Sequence, residues 1–188
     1  MNGKCIILCA PSGAGKTSIT KYLLKQNLGL EFSISACTRA KRPNETNGID
    51  YYFLTTNEFK QKIKNNEFIE WEEVYANNFY GTLKTEINRI WENGKHVIFD
   101  VDVKGGLSLS KHFGGNALAI FIKPPSINEL EKRLRSRGTE SEETIQRRIN
   151  KATEEMEYEN RFDVSVENNL LEVAQKEVYG IVKSFLKS

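Results

Sequence analysis

The run Ala10-Pro11-Ser12-Gly13-Ala14-Gly15-Lys16-Thr17 concentrates more chemical capability than any other stretch of the chain. A phosphate needs many hydrogen-bond donors converging on a small concavity, and glycine lets the backbone turn its amides inward that tightly. A helix beginning near Lys16 adds the positive end of its dipole. Lys16 then reaches β- and γ-phosphates, and the Thr17 hydroxyl is placed for Mg²⁺. The usual pattern opens with glycine where Ala10 stands, which bears on how closely the turn approaches its ligand. A Gly-rich turn that merely happens to carry a lysine is the plainer alternative. The apolar run before it, the helix after it and the intact Gly-Lys-Thr favour phosphate binding.

Further residues have the right types for a second anionic substrate. Arg39 and Arg42 stand three apart in a polar turn, and paired guanidinium forks match phosphate geometry. Tyr51 and Tyr80 offer hydroxyls, and Glu70 is an acid inside a strand-like stretch. His96-Val-Ile-Phe-Asp100 reads as a strand ending in an acid, the position from which a carboxylate reaches metal and phosphates in phosphate-loop proteins. Asp102 falls on the same face and is an alternative to Asp100. No Asn-Lys-x-Asp tetrapeptide follows a later strand, so a base-reading GTPase is not indicated.

Strand-like and helix-like segments must alternate to hold these residues in place. Cys5 to Ala10 is a short apolar run ending at the Gly-rich turn, the pattern of a buried parallel strand. Helix follows over Lys16 to Leu28, then an alternating strand over Phe32 to Ser35. Residues 37–83 differ in texture, with turn signals at Arg42-Pro43 and Asn47-Gly48 and some β-structure, including Phe68 to Val74. Within them, Thr55-Thr-Asn-Glu58 is a capping-box pattern opening a helix to Asn65. The βα rhythm resumes with a helix over Thr85 to Asn93 stopped by Gly94 and the strand ending in Asp100. Next come a short helix over Leu107 to His112 and a strand over Ala117 to Ile122. Ser126-Ile-Asn-Glu129 opens a helix to Arg137, broken by Gly138. A charged helix over Glu142 to Glu159, a strand over Phe162 to Glu167 and a helix over Leu170 to Leu186 complete an α/β parallel-sheet chain.

Composition narrows the possibilities. The 188 residues carry 27 Lys+Arg and 25 Asp+Glu, a formal net charge of +2, without the basic excess of a nucleic-acid binder. A 28% charged content with 39% apolar residues is that of a folded chain rather than a disordered one. At this length one core buries roughly 70% of the unfolded surface. The longest apolar runs, Cys5 to Ala10 and Ala117 to Ile122, fall far short of the roughly 20 residues a membrane span needs. Met1-Asn2-Gly3-Lys4 leads directly into the first strand with no leader pattern. Cys5, Cys9 and Cys37 cannot all pair and lack metal-ligand spacing. A reduced, cytoplasmic setting is expected.

Taken together, the motifs resemble guanylate kinase over nearly the whole chain. They are the phosphate loop, Ser33-Ile34-Ser35 with Thr38-Arg39 and Arg42-Pro43, and Gly48-Ile-Asp-Tyr51. Asn66-Glu67-Phe68-Ile69-Glu70-Trp71, Tyr80-Gly81-Thr82, Phe99-Asp100-Val101-Asp102 and Lys123-Pro124-Pro125-Ser126 continue the series. It ends with Lys132-Arg133-Leu-Arg-Ser-Arg137-Gly138-Thr139-Glu140, leading to Arg147-Arg148. The resemblance implies a phosphate-loop kinase fold: a parallel sheet flanked by helices, a small inserted GMP-binding subdomain at 37–83 and a helical lid at 126–159. The core would comprise 1–36, 84–125 and 160–188. It implies transfer of the γ-phosphoryl group of ATP to GMP with Mg²⁺, giving ADP and GDP, in purine-nucleotide recycling, by a monomer or homodimer.

By position, Arg39, Arg42, Tyr51 and Tyr80 would hold the GMP phosphate. Ser35, Glu70 and Thr82 would read guanine, with Asp100 beside the nucleotide. Guanine presents two adjacent donors, N1–H and the exocyclic amine, that a carboxylate such as Glu70 can accept. Adenine has an acceptor at N1 and would be repelled, a basis for discrimination of roughly 10⁴-fold or more. The Ser35 or Thr82 hydroxyl could serve O6. Lys16, Arg39, Arg133, Arg137 and Arg148 would stabilise the transferring group, the lid arginines by closing over the triphosphate. Thr17 and Asp100 would hold Mg²⁺ with ATP, directly or through water, and Asn168 matches the adenine side loosely. Cys37 stands where Thr, Ser or His is more usual and adds an accessible thiol. Lys104 replaces a common Gln, and Ser165 is unusually polar for a last strand. Catalytically inactive interaction modules of the same fold generally lack the phosphate loop, which Gly13, Gly15, Lys16 and Thr17 supply here. A sugar-phosphate kinase would need no guanine reader.

Overall fold

The computed structural model describes residues 3–136 and 141–188. Two sheets organise it. The central one has five parallel strands in the order β2-β7-β1-β8-β9, where β1 is Cys5–Cys9, β2 Leu30–Phe32, β7 His96–Asp100, β8 Ala117–Lys123 and β9 Val164–Glu167. All five residues of β1 are fully buried, because helices cover both faces of the sheet. On one face, α1 (Lys16–Leu24) and α7 (Leu171–Lys187) pack Ile19, Leu23, Val178 and Val182 onto Ile6, Leu8 and Ile120. On the other, α3 (Lys84–Glu92) and α4 (Val103–Phe113) set Ile87, Ile90 and Leu109 against Ile7, Phe99 and Phe121. Strand β1 has β7 on one side and β8 on the other. The crossovers after it and after β7 therefore run in opposite directions, opening a crevice at the carboxyl ends of these strands.

The second sheet, ordered β4-β3-β6-β5, comprises β3 (Ala36–Cys37), β4 (Tyr52–Phe53), β5 (Phe68–Tyr75) and β6 (Asn78–Leu83). Its one parallel pair is β3 with β4; the β3–β6 and β5–β6 pairs are antiparallel. Helix α2 (Thr56–Lys64) covers it through Phe59, stacked on Phe68 with ring centroids 4.3 Å apart. The expected capping box is present, with Thr55 Oγ1 accepting from Glu58 N–H and the Glu58 carboxylate accepting from Thr55 N–H. Helices α5 (Ile127–Ser136) and α6 (Glu142–Met156) share a separate small core of Leu130, Leu134, Ile145 and Ile149.

Several boundaries differ from the sequence reading. Helix α1 stops at Leu24, four residues short of the expected end. Strand β2 lies at Leu30–Phe32, and Ser33 to Ser35 form the passage between the sheets rather than a strand. Strand β6 carries no β-branched run to announce it, and Gly81 sits inside it. A Cβ there would lie 2.7 Å from the Glu70 carbonyl oxygen. Helix α4 begins at Val103, well before the expected Leu107, because Asp102 caps it: Asp102 Oδ1 accepts from Gly105 N–H at 2.8 Å. The Gly105-Gly106 pair lets the first turn of α4 lie close on β1. A Cβ on Gly106 would lie 2.1 Å from Cys9 Sγ.

Candidate active site

The phosphate loop lies at the carboxyl end of β1. Gly13 and Gly15 both adopt φ of 100°, open to glycine and strained for other residues, and Gly15 is the N-cap of α1. A Cβ on Gly15 would fall 2.2 Å from Asn168 Nδ2, so the loop and the end of β9 fit only without a side chain there. Asn168 is buried and donates from Nδ2 to the Ala14 carbonyl at 2.7 Å. Its placement is therefore beneath the loop, bracing it, with Oδ1 buried and unpaired.

Lys16 Nζ lies 2.7 Å from Asp100 Oδ1 and donates to the Val101 carbonyl. Burial, the largest single influence, works to lower the lysine's pKa, but Asp100, Cys9 and Asp102 together outweigh it and hold the group above its ordinary value. Thr17 Oγ1 donates to Asp100 Oδ2 at 3.2 Å. Asp100 thus touches both the lysine and the hydroxyl, while Asp102 is engaged as the α4 cap. A donor-side cavity of about 360 Å³ is lined by residues of the loop with Thr17, Asp100 and Lys151. Among the described residues no group of three or more His, Cys, Asp or Glu could hold a metal on its own. One carboxylate beside one hydroxyl nevertheless fits Mg²⁺ arriving with a polyphosphate, since that ion takes few protein ligands and keeps waters.

A second cavity of about 290 Å³ adjoins the first and shares Lys16, Asp100, Asp102 and Lys151 with it. Ser35, Tyr51, Glu70 and Tyr80 line it. Glu70 Oε1 accepts from Thr82 Oγ1 at 2.7 Å, and Thr82 is fully buried. The single Thr82 proton therefore goes to Glu70, leaving Ser35 as the hydroxyl available to an acceptor such as O6. Burial pushes Glu70 up to about 7, with the Asp102 and Glu72 charges adding to the rise and the Thr82 hydrogen bond opposing it.

The arginines divide. Arg39 forms a two-pronged pair with Glu45 and lies over Tyr51, 4.9 Å from the ring centroid. The Glu45 hydrogen bonds hold it firmly charged. Arg42 is exposed, with its backbone N–H on Glu45 Oε2 at 2.9 Å. Arg148, on α6, donates from Nη1 to Ser12 Oγ at 2.7 Å, bringing that helix to the loop. Arg133 pairs with Glu129 and donates to the Asn169 carbonyl at 3.3 Å, outside the donor cavity lining. Arg137 and Gly138 lie outside the described residues. Cys37, expected to be accessible, is fully buried in β3, and burial raises its pKa. The thiols of Cys5 and Cys9 are likewise buried and pushed up to about 12.

Sequence reasoning missed Glu45, Glu72 and Lys151. Lys151 had a usable signal, standing three residues after Arg148 on the same helical face. Glu45 and Glu72 had none, since a loop and a bulged strand bring them in. A cleft of about 910 Å³ lies between α6 and β5 and carries both acids, Glu72, Glu73 and Glu154 among them, and the cations Lys104, Arg147 and Lys151.

The guanylate kinase family model matches residues 2–185. The chain is 50% identical over 186 residues to guanylate kinase of Bacteroides thetaiotaomicron, covering 99% of this chain and 91% of the relative. It is 49% identical over 184 residues to that of Porphyromonas gingivalis, covering 97% and 98%. The crystal structure of guanylate kinase from Anaplasma phagocytophilum superposes with a TM-score of 0.79 at 27% identity, over 99% of this chain and 87% of that one.

Proposed function

The chain belongs to the guanylate kinase family, whose reaction moves the γ-phosphoryl group of ATP to GMP, giving ADP and GDP, and we propose that it runs this reaction across its two adjoining cavities. The observation that carries this reading is the shared wall: Lys16 and Asp100 line both the loop cavity and the Glu70 cavity. ATP places its β- and γ-phosphates in the loop Ala10–Thr17, against inward amides and the N-terminus of α1. GMP sits opposite, with its phosphate toward Arg39, Arg42, Tyr51 and Tyr80. Glu70 accepts from guanine N1–H and the amine, and Ser35 donates to O6.

Mg²⁺ travels with ATP, and Thr17 and Asp100 are the residues that would hold it, directly or through water; when bound it supplies charge neutralisation of the phosphates. Lys16 spans the gap between the cavities and offsets charge on the transferring group. Arg148, already on Ser12 Oγ, holds α6 over the loop and keeps water out. Arg133 and Arg137 are assigned to transition-state charge in this reading, and an arginine that meets the transition state is worth roughly 10³ to 10⁵ in rate. In this reading residues 37–83 form the GMP-binding part, 126–159 the lid and the rest the core.

No described helix is long and apolar enough to cross a membrane. The near-neutral charge and buried thiols suit a reduced cytoplasm and small anionic substrates rather than a nucleic acid or a lipid surface. The reading extends to a monomer or homodimer. An interaction module would not need Gly13, Gly15, Lys16 and Thr17 in working geometry. A coupled ADP-release assay with GMP, AMP, UMP and CMP, with and without Mg²⁺, tests the proposal. Turnover should favour GMP and need the metal; equal use of the four nucleotides would overturn it.

A further inference from the structure

Glu86, near the start of α3, takes no part in the chemistry above and is 1% exposed. A buried carboxylate persists only when its oxygens are hydrogen-bonded. Its donors come from three different parts of the chain. Oε1 accepts from the backbone N–H of Ile34 at 3.0 Å and from Arg89 Nη2 at 2.9 Å. Oε2 accepts from the Tyr52 hydroxyl at 2.9 Å and from Arg89 Nε at 3.1 Å. Arg89 in turn reaches Glu31 on β2, tying the group to the central sheet.

The two non-arginine partners are neighbours of residues that line the acceptor cavity. Ile34 belongs to the passage between the sheets, one residue after Ser33 bonds Ile98 of β7 at 3.0 Å and one before Ser35. Tyr52 begins β4, one residue after Tyr51. Alternation along an extended chain sends the Tyr51 ring to the cavity and the Tyr52 ring the other way, toward α3. Tyr52 N–H also bonds the Ser35 carbonyl at 2.9 Å, so the two segments move as one. A single carboxylate therefore stands behind both a base-side and a phosphate-side residue of the cavity.

We propose that Glu86 is a positioning residue for GMP: through Ile34 and Tyr52 it fixes Ser35 and Tyr51, and with them the small sheet, relative to the central sheet. The inference rests on the acceptor cavity being the GMP site. The donor cavity is lined by none of these residues, so the effect belongs to one substrate.

The test is Tyr52→Phe, which removes one hydroxyl and leaves the ring in its apolar cluster. Steady-state kinetics should give a GMP KM raised roughly fivefold, the worth of one net hydrogen bond. The ATP KM and kcat should stay within about twofold of wild type. Glu86→Ala should raise the GMP KM further; if it fails to fold, Tyr52→Phe alone decides. A Tyr52→Phe enzyme with a lower Tm and unchanged GMP KM would make the network purely structural and overturn the proposal. Equal rises in both KM values would overturn it too. Wild-type enzyme without GMP preference would instead remove the reading of the cavity itself.

Discussion

A carboxylate that reads guanine must be ionised when GMP arrives, yet burial first, and then the Asp102 and Glu72 charges, push Glu70 up to about 7. The protonated form offers one fewer acceptor and meets N1–H with a donor. The free enzyme's kcat/KM for GMP should therefore rise with pH through about 7, and the rise should vanish in Glu70→Gln. That variant should also lose at least roughly 100-fold in kcat/KM for GMP, because a paired polar reader is gone. Stability runs the other way. The folded pKa lies above the ordinary value of 4.5, so Glu70's contribution is full below 4.5 and lost as pH rises through about 7. Melting curves at pH 8 should find Glu70→Gln more stable than wild type, and a less stable variant would contradict the burial argument.

At the scale of an element, the two acids at and just after the end of β7 part company. Asp100 ends the strand and meets Lys16 and Thr17, whereas Asp102 caps α4, whose first turn lies close on β1. Asp102→Ala should cost about 1 kcal/mol of stability, the usual worth of an N-cap. Asp100→Ala should lower kcat by roughly 100-fold, as expected when a group orienting the metal site is lost. Chemical denaturation and kinetics on the two variants separate these roles, and exchanged phenotypes would exchange the assignments. Residue spacing favoured Asp100 at the strand end and kept Asp102, on the same face, as the alternative. The helix start at Val103, capped by Asp102, and the contacts of Asp100 with Lys16 and Thr17 distinguish them.

At the scale of the molecule, two cavities meeting at Lys16 allow the substrates to be counted separately. Lys16→Met should stay folded, lose turnover and lose the Tm rise that ATP gives, while keeping the rise given by GMP. For wild type, each nucleotide at 100 times its Kd should add about 2.7 kcal/mol. A Lys16→Met enzyme that turns over would remove the loop from the reaction. The phosphate loop, the βα rhythm, the Thr55 capping box and the family motifs were legible in the sequence, because each depends on residues close along the chain. The net charge of +2 was legible as well, but it averages an uneven distribution: Lys16 and Arg148 stand at the loop while glutamates line the outer cleft. Tertiary structure alone decided that Thr82 gives its proton to Glu70, that Glu45 grips Arg39, that Asn168 braces the loop and that Glu86 joins the two sheets. These contacts join residues whose pairing is set by sheet order and packing, and no local periodicity encodes that. The amino-acid sequence determined which chemistry was present; the fold decided which groups meet, because hydrogen bonding and burial act only at contact distance.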